Sequence, residues 1–475
     1  MKVQKLFDQK LKFNHQINKV CINSKKVEEN DIFVAISGSV HDGNDYIDEA
    51  IERGAKTIIT ENYFELENVN LIVVDDARKE VARILRKMHL NKCKMLKIIG
   101  VTGTNGKTTT TTLVYRYLKS IGLKACLLGS NGIYLDGKFI ETINTTPDIT
   151  IIYDMLLQAY YNHYKYVVME VSSHAIKQMR IMGIDFTIVL LTNLTLDHLE
   201  LHKTFLDYQY TKGLLINRIS VDNYVILNRD DEYYPFFNQL ACAKTLTFGL
   251  KNSNYQLYDI ILKDDMSYFK IKFKKNTYQF QTNFLGMFNV YNIAAFIAII
   301  DTLGLFSFEK VKAFLDGNIT IPGRMEEVEY KGRKIIVDFA HTPDGIFKVL
   351  TFLRSLNRRI ILVVGCGGSR DKTKRRVVGE IAVSNSDYVI FTSDNPRDED
   401  EMDIINDIIR DIENENFEVE TNRVEAIKKA IKISKPNDII AILGRGNEQY
   451  QIVKGKLIPL DDMKVVKEVI GGDLN

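Results

Sequence analysis

The sequence predicts an α/β protein with several domains, on two observations. Short apolar runs rich in β-branched residues alternate with segments of helical periodicity, which is typical of sheets covered by helices. The chain has 475 residues, which is too many for one hydrophobic core. We therefore predict a small N-terminal α/β domain at 1–94, a central α/β domain at 95–322 and a Rossmann-like, doubly wound C-terminal domain at 323–475.

Composition narrows the classes of function. The formal net charge is +2 and no basic tail or basic amphipathic segment stands out, so we expect neither a nucleic-acid nor a membrane partner. The five cysteines are scattered and none has Cys-x-x-Cys spacing, which favours neither a zinc site nor a disulfide framework. No signal peptide or bilayer-spanning stretch is recognisable, and we expect a cytoplasmic protein.

The first predicted domain has no motif that indicates chemistry by itself. Its turn-rich loop at 38–43 could bind a ligand, although a surface loop is the default interpretation. The pattern predicts strands at 31–36, 57–60 and 71–74, helices at 46–53 and 78–90, and a linker at 92–94.

The second domain opens with a strand, a glycine-punctuated turn and a helix. Its first glycine is Gly103, which gives a loop shorter than the usual phosphate loop; the loop consists of Gly103, Thr104, Asn105, Gly106, Lys107, Thr108 and Thr109. Backbone N–H groups at a helix start attract phosphate, Lys107 supplies a positive charge, and the Thr108 hydroxyl can reach Mg²⁺. The sequence therefore predicts a P-loop ATPase-like domain.

Acidic and imidazole side chains follow later strands of this domain. Glu170 ends an apolar strand at 166–171, where it can hold the Mg²⁺ of a nucleotide or lie at a hydrated strand edge. His198 and His202 follow the strand that begins at Ile188, and either imidazole could bind a metal or simply face solvent. By spacing alone, Lys212 is a solvated helix lysine.

The end of the second domain changes its pattern. Short alternating strands from 221 to 281 predict a mostly antiparallel lobe. Asn289 and Asn292 precede an apolar helix at 293–303, and they could cap that helix or contact a base.

The third domain repeats one theme: an apolar strand runs into a polar or glycine-rich loop. In doubly wound sheets such loops meet at the carboxyl edge and form a binding site. Arg370 and Arg397 suit a carboxylate, because a guanidinium grips it with two hydrogen bonds. Asp394 and Glu448 suit an ammonium group. A ligand that carries both groups is an amino acid.

Taken together, its motifs make the chain resemble the Mur ligases over nearly its whole length. Within that family it is most similar to the ligases that add an amino acid to UDP-N-acetylmuramoyl-L-alanyl-D-glutamate. The matching motifs are GTNGKTT at 103–109, NTTPD at 144–148, EVSSHA at 170–175, TNL at 192–194, DH at 197–198, Lys212, GRME at 323–326, DFAHTP at 338–343 and DNPR at 394–397. The resemblance implies domains for the UDP end of the substrate, for ATP and for the incoming amino acid. It also implies Mg²⁺ and an acyl-phosphate intermediate in peptidoglycan precursor synthesis.

The resemblance assigns roles by position. Lys107, Glu170, His198 and Lys212 are the implied catalytic residues, with Lys212 as a carbamate; the metal ligands are Thr108, Glu170, His198 and that carbamate. The loop 103–109 would bind ATP together with Asn292, Arg324 and Asp338. The UDP-muramoyl substrate would meet Ile22, Ser24, Ser39, Val40, His41, Asn144, Thr145, Thr146, Ser172, Gln178 and Arg180. The amino acid would meet Arg370, Asp394, Asn395, Pro396, Arg397, Gly444 and Glu448.

Asp-Asn-Pro-Arg at 394–397 is the family's mark for meso-diaminopimelate rather than L-lysine. The far end of diaminopimelate is itself a zwitterion, and L-lysine would leave Arg370 and Arg397 unpaired. The chain departs from the family at Asn23-Ser24-Lys25, at Phe339, at Ser369 and at Arg445 and Asn447. The last departures, near the amino-acid site, leave room for meso-lanthionine as the added amino acid.

Other interpretations remain at this stage. One is a related ligase such as a folylpolyglutamate synthetase, which would lack the uridine-binding domain and the Asp-Asn-Pro-Arg motif. Another is a Mur-like scaffold without catalysis, against which Lys107, Glu170, His198 and Lys212 argue. We expect small-molecule substrates only and a monomer.

Overall fold

The computed structural model describes residues 1–38, 41–135, 137–142 and 144–472. Three α/β units follow one another along this part of the chain, each with its own sheet, as the sequence predicts. None of the described helices combines the length and apolar character needed to cross a bilayer. The boundaries at 94 and 322 stay predictions.

The first sheet is parallel, with neighbouring strands in chain order. Its elements are β1 (Val20–Cys21), β2 (Ile32–Val34), β3 (Thr57–Thr60), β4 (Asn70–Val73), α1 (Ile47–Glu52) and α2 (Ala77–Cys93), with 3₁₀ turns at Val3–Leu6, Ser24–Lys26 and Gly43–Tyr46. The predicted linker at 92–94 is wrong in part, because α2 continues through Cys93. This helix packs on the helix at Ile149–Tyr161, which joins the first core to the second.

The second sheet has the strand order β15-β14-β13-β12-β11-β10-β5-β9-β6-β7-β8. Its strands are β5 (Lys97–Thr102), β6 (Ala125–Gly129), β7 (Gly132–Leu135), β8 (Lys138–Ile140), β9 (Tyr166–Glu170), β10 (Ile188–Leu191), β11 (Tyr224–Asn228), β12 (Lys244–Gly249), β13 (Tyr255–Leu262), β14 (Ser267–Phe273) and β15 (Asn276–Thr282). Its helices are α3 (Lys107–Ser120), α4 (Ile149–Tyr161), α5 (Ser173–Lys177), α6 (Leu199–His202), α7 (Phe205–Asn217), α8 (Tyr234–Leu240), α9 (Met287–Thr302) and α10 (Phe308–Asp316).

Two predictions for this unit need correction. The antiparallel lobe is smaller than predicted, since β11 and β12 continue the parallel sheet and, among the described strands between 221 and 282, only β13–β14 and β14–β15 pair antiparallel. Asn289 and Asn292 do not precede their helix. α9 begins at Met287, and Asn289 bonds the carbonyl of Leu285 from inside its first turn (2.9 Å).

The third sheet has the order β16-β17-β21-β18-β19-β20. Its elements are β16 (Glu326–Tyr330), β17 (Arg333–Asp338), β18 (Ile360–Val364), β19 (Tyr388–Phe391), β20 (Phe417–Val419), β21 (Ile439–Leu443), α11 (Pro343–Arg354), α12 (Thr373–Asn385), α13 (Glu401–Ile409), α14 (Arg423–Ile433) and α15 (Asp462–Gly472), beside a hairpin of β22 (Tyr450–Val453) and β23 (Lys456–Pro459). The sheet is parallel except at its edge, where β16 pairs antiparallel with β17. Helices cover both faces, as in a doubly wound fold.

Candidate active site

A cleft of about 1530 Å³ lies between the second and third sheets. The carboxyl ends of β5, β9 and β10 line it from one side, and those of β17, β18, β19 and β21 line it from the other. Loops at the carboxyl edges of parallel strands are the usual ligand sites in α/β folds. The predicted phosphate loop and the predicted zwitterion site therefore open into one space.

The phosphate loop, residues 103–109, is held tightly at its two glycines. Both have positive φ (142° at Gly103 and 85° at Gly106), which favours glycine. A Cβ on Gly103 would lie 1.9 Å from the Thr192 hydroxyl, and one on Gly106 would lie 2.2 Å from the Asn292 amide oxygen. The loop can therefore keep its exposed N–H groups at the start of α3 only with glycine at these positions.

Lys107 curls back over this loop. Its ammonium donates to the carbonyls of Gly103 (2.9 Å) and Thr104 (2.8 Å). Burial lowers the pKa of Lys107, while the charges of Glu170 and Asp197 oppose that shift. A cation so held needs little reorganisation to receive a phosphate.

Glu170 and Thr108 form the part of the site that best fits a hard cation. The Thr108 hydroxyl donates to the Glu170 carboxylate (3.0 Å), which also accepts from the Ser130 backbone N–H (2.8 Å). Glu170 is buried, and no described cationic side chain forms an ion pair with it. A buried carboxylate without a direct cationic partner, next to a hydroxyl, is a suitable donor set for Mg²⁺.

Asp197 lies among basic side chains from both sides of the cleft. It lies 3.3 Å from His198, 3.6 Å from Lys374 and 4.0 Å from His341. Burial raises the pKa of Asp197, but these neighbouring charges outweigh burial and hold it below its ordinary value. The cluster joins the loop after β10 to the third sheet.

Lys212 is not the solvated lysine that its helical spacing predicts. It is buried on α7, and its ammonium donates to the carbonyl of Gly103 (3.0 Å). Burial and the charge of Lys107 lower its pKa well below the ordinary value, against the opposing charge of Asp197. Its environment therefore shifts Lys212 toward the neutral amine, and the group lies beside the phosphate loop.

Arg324 and Asp338 contribute to the same region from the third unit. Arg324 donates to the Thr108 hydroxyl (3.1 Å) and stacks on the Phe339 ring, 4.3 Å from its centre. Asp338 accepts from the backbone N–H groups of Met325 (2.7 Å) and Ala340 (2.8 Å). The Arg324 contact joins the third unit to the phosphate loop, and the Asp338 bonds fix the turn that follows β17.

The far end of the cleft carries the predicted zwitterion site. Arg397 donates to the carbonyls of Gly368 (2.8 Å) and Asn395 (3.3 Å), and Asn395 donates to Glu448 (2.6 Å). A Cβ on Gly444 would lie 2.7 Å from the Asp394 carboxylate. Burial and the charge of Asp394 raise the pKa of Glu448. Cationic and anionic groups thus face one another across a small space.

Three family models match successive parts of the chain: Mur ligase family, catalytic domain at 16–96; Mur ligase middle domain at 101–300; and Mur ligase, glutamate ligase domain at 323–446. A UDP-N-acetylmuramoyl-L-alanyl-D-glutamate–2,6-diaminopimelate ligase of Clostridium botulinum is 38% identical over 464 residues, with 96% of this chain and 95% of that protein covered. The chain belongs to the Mur ligase family.

Solved structures of Mur ligases share the fold. A UDP-N-acetylmuramoyl-L-alanyl-D-glutamate–2,6-diaminopimelate ligase aligns with a TM-score of 0.71 and 28% identity, with 100% of this chain and 99% of that one covered. The MurF ligase of Thermotoga maritima in complex with ADP aligns with a TM-score of 0.66 and 22% identity over 90% of this chain and 93% of that one. The second likeness concerns the fold alone.

Most of the residues predicted from the Mur ligase resemblance line the cleft. These are the loop 103–109, Asn144, Thr145, Glu170, Ser172, Arg180, His198, Lys212, Asn292, Arg324, Asp338, Arg370, Asp394, Asn395, Arg397, Gly444 and Glu448. Thr146 and Pro396 are buried next to it, and Thr146 donates to the carbonyl of Glu170 (2.8 Å).

Some of the residues predicted to meet the UDP-muramoyl substrate lie apart from the cleft lining. Among described residues these are Ile22, Ser24, His41 and Gln178; Ser39 and Val40 lie outside the described residues. Ser24 is buried and donates to the Glu49 carboxylate (2.6 Å), so in this arrangement its hydroxyl is already engaged. Their roles toward the substrate stay predictions.

Sequence reasoning missed several members of this Mur ligase site. His174, Glu200, His341 and Lys374 all line the cleft, and His174, His198 and Glu200 bring ligand atoms within 4.8 Å of one another. His174 and His341 lie within the motifs at 170–175 and 338–343, yet no spacing rule connects 341 or 374 with 197. Three-dimensional placement alone reveals the cluster.

Proposed function

We propose that the protein is an ATP-dependent ligase that adds meso-diaminopimelate to UDP-N-acetylmuramoyl-L-alanyl-D-glutamate in cytoplasmic peptidoglycan precursor synthesis. One observation carries the proposal: the phosphate loop and a site with paired arginines and carboxylates open into the same cleft. The relatives with 36–38% identity that bear this activity in their names support it.

The proposed first step makes the D-glutamyl side-chain carboxylate reactive. A carboxylate oxygen attacks the γ-phosphorus of ATP, the bond to ADP breaks, and an acyl phosphate forms. Lys107 and Arg324, both at the phosphate loop, neutralise the phosphate charges through the transfer. Thr108, Glu170 and His198 would hold Mg²⁺, which would supply positive charge against the phosphate oxygens when bound.

Lys212 has an environment suited to the carbamate that the family resemblance implies. A neutral amine can add to CO₂, forming an N–C bond and releasing a proton, whereas an ammonium cannot. Burial favours the neutral form at Lys212. The resulting anion would lie next to Lys107 and help to hold Mg²⁺.

In the second step the amine of the amino acid attacks the acyl carbon, and phosphate leaves from the tetrahedral intermediate. Asp394 and Glu448 lie where they can hold the distal ammonium, and Arg370 and Arg397 where they can pair the distal carboxylate. L-lysine lacks that carboxylate and would leave two arginines without an anion in a closed site.

Meso-lanthionine is the second candidate amine. It keeps both zwitterionic ends, and Ser369 and Asn447 replace residues usual in the family near this end of the cleft. A scaffold without catalysis is disfavoured, because Lys107, Glu170, His198 and Lys212 all face the cleft.

Phosphate release by the purified protein tests the proposal. ATP, Mg²⁺ and UDP-N-acetylmuramoyl-L-alanyl-D-glutamate are supplied with meso-diaminopimelate, meso-lanthionine or L-lysine in parallel. We expect turnover with diaminopimelate and little with lysine. Preference for lanthionine would keep the mechanism and change the substrate, whereas no turnover with any amine would overturn the proposal. We propose a monomer, which light scattering during the same preparation checks.

A further inference from the structure

Glu200 lies where the two halves of the cleft meet. It sits on α6, the short helix after β10, and its side chain is 22% exposed. Lys177 holds this helix by donating to the carbonyl of Leu201 (3.0 Å) and to Asp207 (2.6 Å). The position of the carboxylate is therefore defined by the second unit of the fold.

The partner of Glu200 comes from the third unit. Arg370 directs Nη1 to Glu200 Oε1 at 3.2 Å, across 170 positions of sequence. In the described part of the chain, no other carboxylate forms an ion pair with Arg370. A guanidinium has five N–H donors, so one bond to Glu200 leaves Nε and Nη2 available for the carboxylate of a substrate.

The ion pair between Glu200 and Arg370 lies next to a second arginine, Arg397. Arg370 and Arg397 lie close enough that burial, together with the charge of Arg370, lowers the pKa of Arg397. The Glu200 carboxylate faces this pair of guanidinium groups and lies 3.2 Å from Arg370 Nη1. The carboxylate therefore offsets the repulsion between the two guanidinium groups and holds Arg370 in place before any ligand binds.

We propose that Glu200 is a positioning residue that holds the Arg370 guanidinium ready for the distal carboxylate of the incoming amino acid. This inference rests on the proposed function. An unrestrained arginine loses rotamer freedom when it binds a ligand, and a fixed one has lost it already. Glu200 thus increases affinity for the amino acid without touching it.

The Glu200 carboxylate also contacts His198 in the second unit. Glu200 Oε1 lies 3.5 Å from His198 Nδ1, and the His198 ring stacks edge-on to His174 with centres 4.8 Å apart. His198 has a left-handed backbone (φ 57°), which is uncommon for a residue with a Cβ and fixes the turn into α6. Glu200 therefore connects amino-acid recognition in the third unit to His198 in the second.

The test is Glu200→Gln in the full-length protein, with Glu65→Gln, an exposed glutamate, as the matched control. We expect the KM for meso-diaminopimelate to rise roughly two- to ten-fold, because Arg370 loses the contact that fixes it and must then be ordered by the ligand. The KM values for ATP and for the UDP-dipeptide should change by less than about two-fold. Calorimetric binding of diaminopimelate to enzyme loaded with UDP-dipeptide and a non-hydrolysable ATP analogue should weaken by the same factor.

A double-mutant cycle separates positioning from a general structural effect. In an Arg370→Ala background, Glu200→Gln should have no further effect on the KM for diaminopimelate, because the residue it acts through is gone. Glu200→Asp keeps the charge on a shorter side chain and should fall between wild type and Glu200→Gln. Thermal unfolding of every variant checks the fold.

Two results would overturn the inference. Additive effects in the cycle, or an unchanged KM for diaminopimelate with an active wild type, would show that Glu200 does not act through Arg370 and would leave the proposed function intact. No turnover by the wild type with any diamino acid would overturn the proposed function and this inference with it.

Discussion

Replacing Arg397 by lysine should convert a selective amino-acid site into a permissive one. Nη1 of Arg397 donates to the carbonyls of Gly368 and Asn395, which leaves Nε and Nη2 for a substrate carboxylate. A lysine ammonium keeps the charge but cannot satisfy both carbonyls and a carboxylate in the same planar geometry. The change therefore removes about one charge-assisted hydrogen bond from the complex with diaminopimelate.

Such a bond contributes about 1.5–3 kcal/mol, which corresponds to a ten- to hundred-fold change in affinity. We expect kcat/KM for meso-diaminopimelate to fall by about this factor. The kcat/KM for L-lysine should change by less than about three-fold, because L-lysine has no distal carboxylate that could contact Arg397. The ratio of the two values, measured by coupled ADP release at saturating ATP and UDP-dipeptide, reports the effect.

Arg354→Lys is the control, since Arg354 is exposed on α11, away from the cleft lining. Equal losses for diaminopimelate and lysine would show that Arg397 stabilises the loop rather than recognising a carboxylate. An unchanged ratio would refute the assignment of the distal carboxylate to Arg397.

Three further predictions follow from the same geometry. Gly106→Ala should weaken binding of an ATP analogue by at least about ten-fold, because its Cβ would lie 2.2 Å from Asn292 in a left-handed backbone; unchanged affinity in a fluorescence titration would contradict the loop geometry. Depleting bicarbonate should lower kcat of the wild type and restoring it should recover activity, whereas Lys212→Gln should be inactive under both conditions; an unresponsive wild type would argue against the carbamate. Burial lowers the pKa of His89 from 6.5 to about 4, so the folded state resists protonation of this imidazole. The free energy of unfolding should therefore fall as the pH drops from 6.5 to 4, and His89→Phe should make this fall smaller in urea titrations. An equal fall in wild type and variant would exclude His89 as its source.

The general fold was predictable because its signals are local. Apolar runs placed β3 at Thr57–Thr60 and β10 at Ile188–Leu191, and the glycines of the phosphate loop marked the start of α3. The errors occurred where local signals conflict with packing. Asn289 and Asn292 look like caps in sequence, but the buried α9 extends past them because both side chains find partners within the helix. Parallel pairing of β11 and β12 depends on neighbours that sequence alternation cannot specify.

The candidate site was predictable in its parts but not in its connections. Strand-end loops indicated the residues of each half, and the Mur ligase resemblance supplied their roles. The contacts that join the halves, such as Arg370 with Glu200 and Lys374 with Asp197, link positions at least 170 residues apart. The burial of Lys212 likewise depends on which face of α7 turns toward the core. Polar and apolar residues are distributed around the whole helix, so its sequence does not predict that face.

The most direct test of the central claim follows oxygen from substrate to product. UDP-N-acetylmuramoyl-L-alanyl-D-glutamate with ¹⁸O in both oxygens of the glutamyl side-chain carboxylate is incubated with the protein, ATP, Mg²⁺ and meso-diaminopimelate, and mass spectrometry reads the products. The account predicts a UDP-tripeptide whose new amide keeps one ¹⁸O and a released phosphate that carries the other. Unlabelled phosphate alongside the tripeptide would contradict the acyl-phosphate step, and phosphate release without a tripeptide would contradict the ligase function.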